Sequence, residues 1–172
     1  DAIAENAARL DAVMLRAVPD ATALAQLLGD RRIRAVVVGP GLGTGAAARV
    51  QLDAVLASGV PAVCDADAFT LGASDPAVMR GAAVLTPHEG EFERVFGALP
   101  GSRIDRVRAA AADSGSIVVL KGPDTVIAEP GGRAVVNNHA SPALATAGSG
   151  DVLAGIIAGL IAQGLSPFDA AC

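Results

Sequence analysis

The chain has 172 residues, of which 52% are hydrophobic and only 18% charged, with a formal net charge of −5. That length allows a core taking in about two-thirds of the unfolded surface, and the apolar content excludes a disordered chain. The acidic balance argues against a nucleic-acid or membrane-surface role, and with no Trp or Tyr and only four Phe a row of stacking rings is excluded too.

Two cysteines, Cys64 in an apolar run and Cys172 at the last position, make no disulfide framework. No eighteen-residue apolar span lacks charges and turn signals, so no membrane segment is expected. The chain begins at Asp1 without Met and stops inside an expected helix, Ser166 to Cys172. The expectation is therefore a single domain over residues 1–172, incomplete at both ends, so the absence of a targeting signal in it says little about the full gene product.

Ala12 to Val18, an apolar run broken by Arg16, is expected to be a strand, and Ala21 to Leu28 a helix ending near Gly29. Ala35 to Val38 is rich in β-branched residues and continuous, as in a strand buried on both faces. It runs into Gly39-Pro40-Gly41-Leu42-Gly43, and a helix follows from Ala46 to Ala57. Val60 to Cys64 is the next strand, ending at Asp65-Ala66-Asp67; Ala82 to Leu85 is another, ending at Thr86-Pro87-His88-Glu89-Gly90-Glu91, with a helix through Phe96. Arg103 to Asp113 reads as a helix, and Ser116 to Leu120 as a strand leading into Lys121-Gly122-Pro123-Asp124-Thr125. Val126 to Ala128 and Ala134 to Asn137 form a hairpin pattern around Glu129-Pro130-Gly131-Gly132. Alternating strands and helices imply an α/β fold with a mostly parallel central sheet. The polar and glycine-rich clusters recur just after strands, at the carboxyl edge where open α/β sheets bind ligands.

Ala145 to Gly155 is the most informative stretch. A small-residue loop opens into a helix with Asp151 in its first turn. Val152, Leu153, Ile156, Ile157, Leu160 and Ile161 fall on one expected apolar face, beside a small-residue face of Ala154, Gly155, Ala158 and Gly159. Gly148 and Gly150 let backbone N–H groups converge, and with the helix dipole they make an anion site. A carboxylate there would repel a phosphate, which makes sense if Asp151 acts on a hydroxyl while the backbone holds a phosphoryl group. The plainer alternative is an ordinary helix start with Ser149 as N-cap.

The segments Gly39 to Gly43, Leu85 to Glu91, Val119 to Gly122 and Ala145 to Gly155, in this order and spacing, resemble the ADP- or ATP-dependent NAD(P)H-hydrate dehydratase family of the ribokinase-like superfamily. The resemblance runs from about Ala35 to the C-terminus. It implies a three-layer α/β/α ribokinase-like fold and a cofactor-repair activity: hydrated NADH or NADPH is dehydrated with ADP or ATP as co-substrate and Mg²⁺ as cofactor. It further implies a cytoplasmic enzyme, a homo-oligomer, with no membrane or nucleic-acid partner. Superfamily logic has the hydroxyl phosphorylated first and phosphate then eliminated.

Carried over residue by residue, the resemblance makes Asp151 the catalytic base and a substrate contact. Gly41, Gly43 and His88 become substrate contacts. Lys121, Gly122, Pro123, Asp124 and Thr125, with Ala147, Gly148, Ser149 and Gly150, become nucleotide contacts. Glu91 becomes the acid that orients Mg²⁺ through water. Alternatives from the residues alone stay open: a solvated Lys121, a helix-capping His88, a first-turn charge at Glu91, a tight turn at Gly41 and Gly43. Asp65 and Asp67 resemble the family's acidic strand end and receive no ligand role; His139 is expected to be exposed. Glu89 stands where the family usually has proline, adding a negative charge. Nothing in residues 1–34 resembles the family's early Gly/Ala-rich segment, so a partial catalytic domain with a complete nucleotide side is expected. A vitamin-precursor kinase of the same superfamily, and a nucleotide-binding module without turnover, are the competing functions.

Overall fold

Among the described residues, six strands join into one sheet in the order β1-β2-β3-β4-β5-β6, formed by Val36–Val38, Ala62–Cys64, Val84–Leu85, Ile117–Leu120, Thr125–Ala128 and Ala134–Asn137. β1 to β4 pair in parallel, and β5 and β6 complete the sheet as an antiparallel hairpin. The computed structural model describes residues 2–73 and 75–172. Its helices are α1 (Ala2–Ala7), α2 (Ala21–Leu28), α3 (Ala46–Ala57), α4 (Asp67–Leu71), α5 (Glu89–Phe96), α6 (Arg103–Ser114), α7 (Ser149–Ala162) and α8 (Pro167–Ala171).

Local chemistry sets several of these boundaries. Asp20 accepts the Ala23 amide at 2.8 Å and starts α2. Ser102 and Asp105 form a reciprocal capping box at the start of α6, and Gly115, left-handed at φ 72°, ends it.

Side chains of successive strand residues point to opposite faces, and the core divides accordingly. Val38, Ala62, Cys64, Leu85, Val118, Leu120, Val126 and Ala128 pack against α2 to α6, with Leu52, Phe69, Phe92 and Val107 fully buried among them. Val63, Val84, Ile117, Val119 and Ile127 face α7 and α8 on the other side. This is the three-layer α/β/α arrangement expected from the sequence. Because the first four strands are parallel, all four of their carboxyl ends emerge on one edge.

Three expectations need correction. Residues 12–18 form no strand: Val13, Met14 and Leu15 are exposed, Met14 at 86%, and Ala12 has a positive φ of 57°. An apolar run becomes a strand only with a neighbour to pair with, and β1 pairs with β2 alone. As the edge strand, β1 has only Val38 fully buried, with Val36 and Val37 half-buried. The buried side of α7 is also rotated. Ala154, Ile157, Ala158 and Ile161 are buried, whereas Val152 and Ile156 are 62% and 56% exposed. The helix packs on β1 and β2, and small side chains allow a closer approach to the sheet than the large apolar set would.

Cys64 lies in the middle of this packing. Burial first, and the charge of Asp65 second, pushes its thiol up to about 12. Since the thiolate is the reactive form, an aromatic disulfide reagent at neutral pH should label exposed Cys172 and spare Cys64 until denaturant is added. Prompt labelling of both thiols in the native protein would show that the sheet opens readily.

Candidate active site

Four strand ends and one helix start build the candidate site. Gly39 closes β1 with φ 127°, and a Cβ built there would lie 1.7 Å from the Asp65 carbonyl oxygen, so only glycine lets the ends of β1 and β2 pack together. Gly41 and Gly43, at φ 66° and 82°, carry the chain outward as an exposed loop. The Gly43 amide donates to Asp67 Oδ2 at 2.8 Å.

Asp65, at the end of β2, is buried and accepts a 2.8 Å bond from Lys121 Nζ, at the end of β4. β3 lies between those two strands, so the lysine side chain reaches across its end. The Lys121 amide donates to the Pro87 carbonyl at 2.9 Å, extending the parallel ladder past the strand itself. Glu91 Oε2 lies 4.0 Å from the same ammonium.

His88 and Glu91 take up the capping alternative. The Glu91 amide donates to His88 Nδ1 at 3.2 Å, and the His88 amide donates to Glu91 Oε2 at 2.8 Å, a reciprocal cap on α5. With Nδ1 accepting, a neutral ring carries its proton on Nε2, and the ring is more than half exposed, available to a ligand. Glu91 is buried and tied into the cap.

The start of α7 closes the group. Its N-cap is Gly148, left-handed at φ 85°, and no side chain caps it. The plainer reading with Ser149 as N-cap does not hold, because Ser149 Oγ instead donates to the Thr146 carbonyl at 2.9 Å. A Cβ built at Gly150 would lie 3.1 Å from Lys121 Nζ and 3.6 Å from Asp65 Oδ2. The loop expected to hold phosphate is thus packed against the lysine expected to bind nucleotide. Asp151, in the first turn of α7, is exposed, and its carboxylate has no hydrogen-bond or ion-pair partner among the described residues.

Residues 121–125 form a closed turn, in which Thr125 Oγ1 donates to the Gly122 carbonyl at 3.0 Å and accepts its amide at 3.3 Å. Pro123 and Asp124 are its exposed tip. Beneath it lies a residue that the motifs did not single out. Arg103 donates to the Lys121 carbonyl at 3.0 Å and to Glu89 at 2.8 Å, and Arg106 also binds Glu89. Gly122 makes room for this guanidinium, since a Cβ there would lie 2.5 Å from Nη2. The unusual charge of Glu89 was the available signal: a carboxylate entering a strand-end loop calls for a cation, and α6 begins with Arg103 and Arg106. His139 is exposed, as expected.

The whole chain, residues 1–172, matches the family model described as NAD(P)H-hydrate dehydratase. The chain belongs to this family. It is 46% identical over 144 residues to the bifunctional NAD(P)H-hydrate repair enzyme Nnr of Mycobacterium tuberculosis strain H37Rv, covering 81% of the chain and 30% of that protein. It is 44% identical over 151 residues to the ADP-dependent (S)-NAD(P)H-hydrate dehydratase of Neisseria meningitidis serogroup B, covering 81% of the chain and 51% of the relative. Among solved structures, the ADP/ATP-dependent NAD(P)H-hydrate dehydratase of Bacillus subtilis, co-crystallised with ATP and Mg²⁺, superimposes with a TM-score of 0.66 at 32% identity, covering 80% of this chain and 50% of that one. The chain thus spans about half the length of the single-function relatives and about a third of the bifunctional one. Family membership and the neighbours bear out the ribokinase-like α/β fold.

Arg103 gives this edge a measurable mechanical role. Arg103→Ala should strip a charged donor from the Lys121 carbonyl and one of two cations from Glu89, at a cost of about 1–3 kcal/mol. Arg103→Lys should not restore it, because an ammonium cannot reproduce the planar fork. Urea unfolding should show a lower midpoint at constant slope, and an unchanged midpoint would mean that the guanidinium does not hold the turn.

Proposed function

We propose that this chain carries out nucleotide-dependent dehydration of hydrated NADH or NADPH, returning the reduced dinucleotide with ADP or ATP as co-substrate. The observation that carries this reading is the unpartnered carboxylate of Asp151 one residue beyond Gly150, whose backbone sits against Lys121. The names of the Neisseria and Bacillus relatives, with ADP in one and ATP with Mg²⁺ in the other, support the same assignment.

In this reading the uncapped start of α7, residues 147–150, holds the transferring phosphoryl group through backbone N–H groups, aided by the helix dipole. Lys121 and the closed turn through Thr125 hold the rest of the nucleotide. The substrate hydroxyl lies between this anion site and the Gly41, Gly43 and His88 side of the edge. Asp151 removes the hydroxyl proton as the oxygen attacks the terminal phosphorus, and the nucleotide leaves one phosphate shorter. The phosphate ester formed on the substrate ring is a far better leaving group than hydroxide. Its C–O bond breaks with loss of a ring proton, which restores the double bond and releases inorganic phosphate.

The residues also fit a magnesium ion of a particular kind. The described residues contain no group of three His, Cys, Asp or Glu side chains arranged as a metal cage. Mg²⁺ commonly uses one or two carboxylates and takes its remaining ligands from phosphate and water; Asp65 is already bound to Lys121, and Glu91 and Asp151 are the carboxylates that would hold the ion. Bound there, the ion would neutralise phosphate charge. A cytoplasmic setting follows from the substrate and nucleotide proposed. Self-association belongs to the same proposal, with the exposed Val152 and Ile156 of α7 as support, and sedimentation measures it.

Incubation with Mg²⁺, ADP or ATP and hydrated NADH, followed by absorbance of restored NADH, tests the reading. A vitamin-precursor kinase would instead transfer phosphate to a hydroxymethyl substrate and leave hydrated NADH untouched, and a module without turnover would bind nucleotide only. Asp151→Asn should lower turnover by about 10²–10⁴-fold while nucleotide binding by titration calorimetry is kept. Equal loss of binding and rate would make Asp151 structural.

A further inference from the structure

The corner Asp65-Ala66-Asp67 does more than end β2. Its two carboxylates point to different loops: Asp65 to Lys121 of the nucleotide turn, Asp67 to the Gly43 amide of the glycine loop. Ala66 between them is held at φ 49° and ψ −116°, a backbone region that a residue with a side chain rarely occupies. The carbonyl of Asp65 is wedged against Gly39, where no Cβ fits. Asp65 also receives backbone order from both sides, its amide donating to the Val38 carbonyl at 3.1 Å and its carbonyl accepting the Ala68 amide at 3.1 Å.

Strain of this kind persists only where surrounding contacts over-determine it. Here those contacts are the two carboxylate bonds and the Gly39 packing, and they join the ends of β1, β2 and β4. Among the described residues, the Asp67 bond is the one long-range hydrogen bond to the outer part of the loop, spanning 24 residues of sequence. Gly41 and Gly43 have open space around their Cα atoms, so packing does not hold them. Without an acceptor, a loop this rich in glycine would sample many backbone states and lose its direction toward the ligand.

We propose that Asp67 is a positioning residue: by accepting the Gly43 amide from the strained Asp65-Ala66-Asp67 corner, it sets the glycine loop of residues 39–43 in register with the nucleotide turn at Lys121. Asp67 touches neither substrate nor nucleotide and acts through the loop. The inference rests on the reading above, in which that loop contacts the hydrated dinucleotide.

The test compares Asp67→Ala and Asp67→Asn in the full chain. Asp67→Ala removes the acceptor; Asp67→Asn keeps an accepting oxygen at the same reach and should retain most of the wild-type behaviour. For Asp67→Ala, KM for hydrated NADH should rise on the order of tenfold, with kcat at saturating substrate and the dissociation constant for ADP changed less than about twofold. A general structural role would instead lower the thermal midpoint and weaken ADP binding by a similar factor. Hydrogen exchange provides a readout that needs no ligand or turnover: amides of residues 39–45 should exchange faster in Asp67→Ala, while those of residues 121–125 keep their protection. If the wild type restores no NADH but the exchange pattern is as stated, the functional reading fails and the loop anchor stands. An unchanged KM, or unchanged exchange at residues 39–45, overturns the proposal.

Discussion

Parallel strands of two to four residues are stable only when both faces of their sheet are covered, and this requirement governs the arrangement of the chain. The connections β1 to β2, β2 to β3 and β3 to β4 place α3 to α6 on one face. The other face is left to a single later return of the chain, made by α7 and α8 after the hairpin. The pairing direction forces the carboxyl ends of β1 to β4 to a common edge. The return of α7 over β1 and β2 then brings its N-terminus to that edge as well. The candidate site is a consequence of how the sheet is covered.

Charge at that edge is largely paired, with carboxylates in excess over cations. Lys121 is shared between Asp65 and, more distantly, Glu91. Glu89 is held by Arg103 and Arg106, and Asp67 accepts a backbone amide. Desolvating such groups is costly unless each finds a partner, which explains why the buried members, Asp65 and Glu91, are paired and hydrogen-bonded. Asp151 differs: it is exposed and unpartnered among the described residues, beside backbone that favours anions. The contrast between satisfied and unsatisfied carboxylates is what singles it out in physical terms.

His88 and Glu91 form a helix cap that does not bury the histidine ring. The cap uses Nδ1 and both backbone amides, and it holds the ring with Nε2 3.5 Å from Glu91 Oε1 and more than half of the side chain exposed. A helix start that orders its own first turn thereby orders a ring that a ligand can meet. The same economy holds for Gly148, which ends the loop with a left-handed backbone and leaves the first turn of α7 without a side-chain cap.

Most of this was legible in the residues. Periodicity and breakers placed α2 and α3 at their observed bounds and the later strands within two residues, because helical spacing and β-branched runs report local burial directly. The glycine and acid motifs marked the candidate edge, since chain reversal and anion contact require particular residue types. The run at residues 12–18 misled, because an apolar segment does not encode whether a partner strand will be beside it. Nor does a helix with apolar residues on most of its circumference encode which side meets the sheet, so Val152 and Ile156 were assigned to the wrong face. The Arg103–Glu89–Arg106 network, the Asp65–Lys121 pair and the Asp67–Gly43 bond join residues between 14 and 56 positions apart. Such contacts depend on strand order and on the direction of each crossover. The amino-acid sequence by itself determined most of the elements and marked the candidate residues; only the tertiary structure decided who partners whom, because the energy of a charge or an amide depends on neighbours that chain distance does not specify.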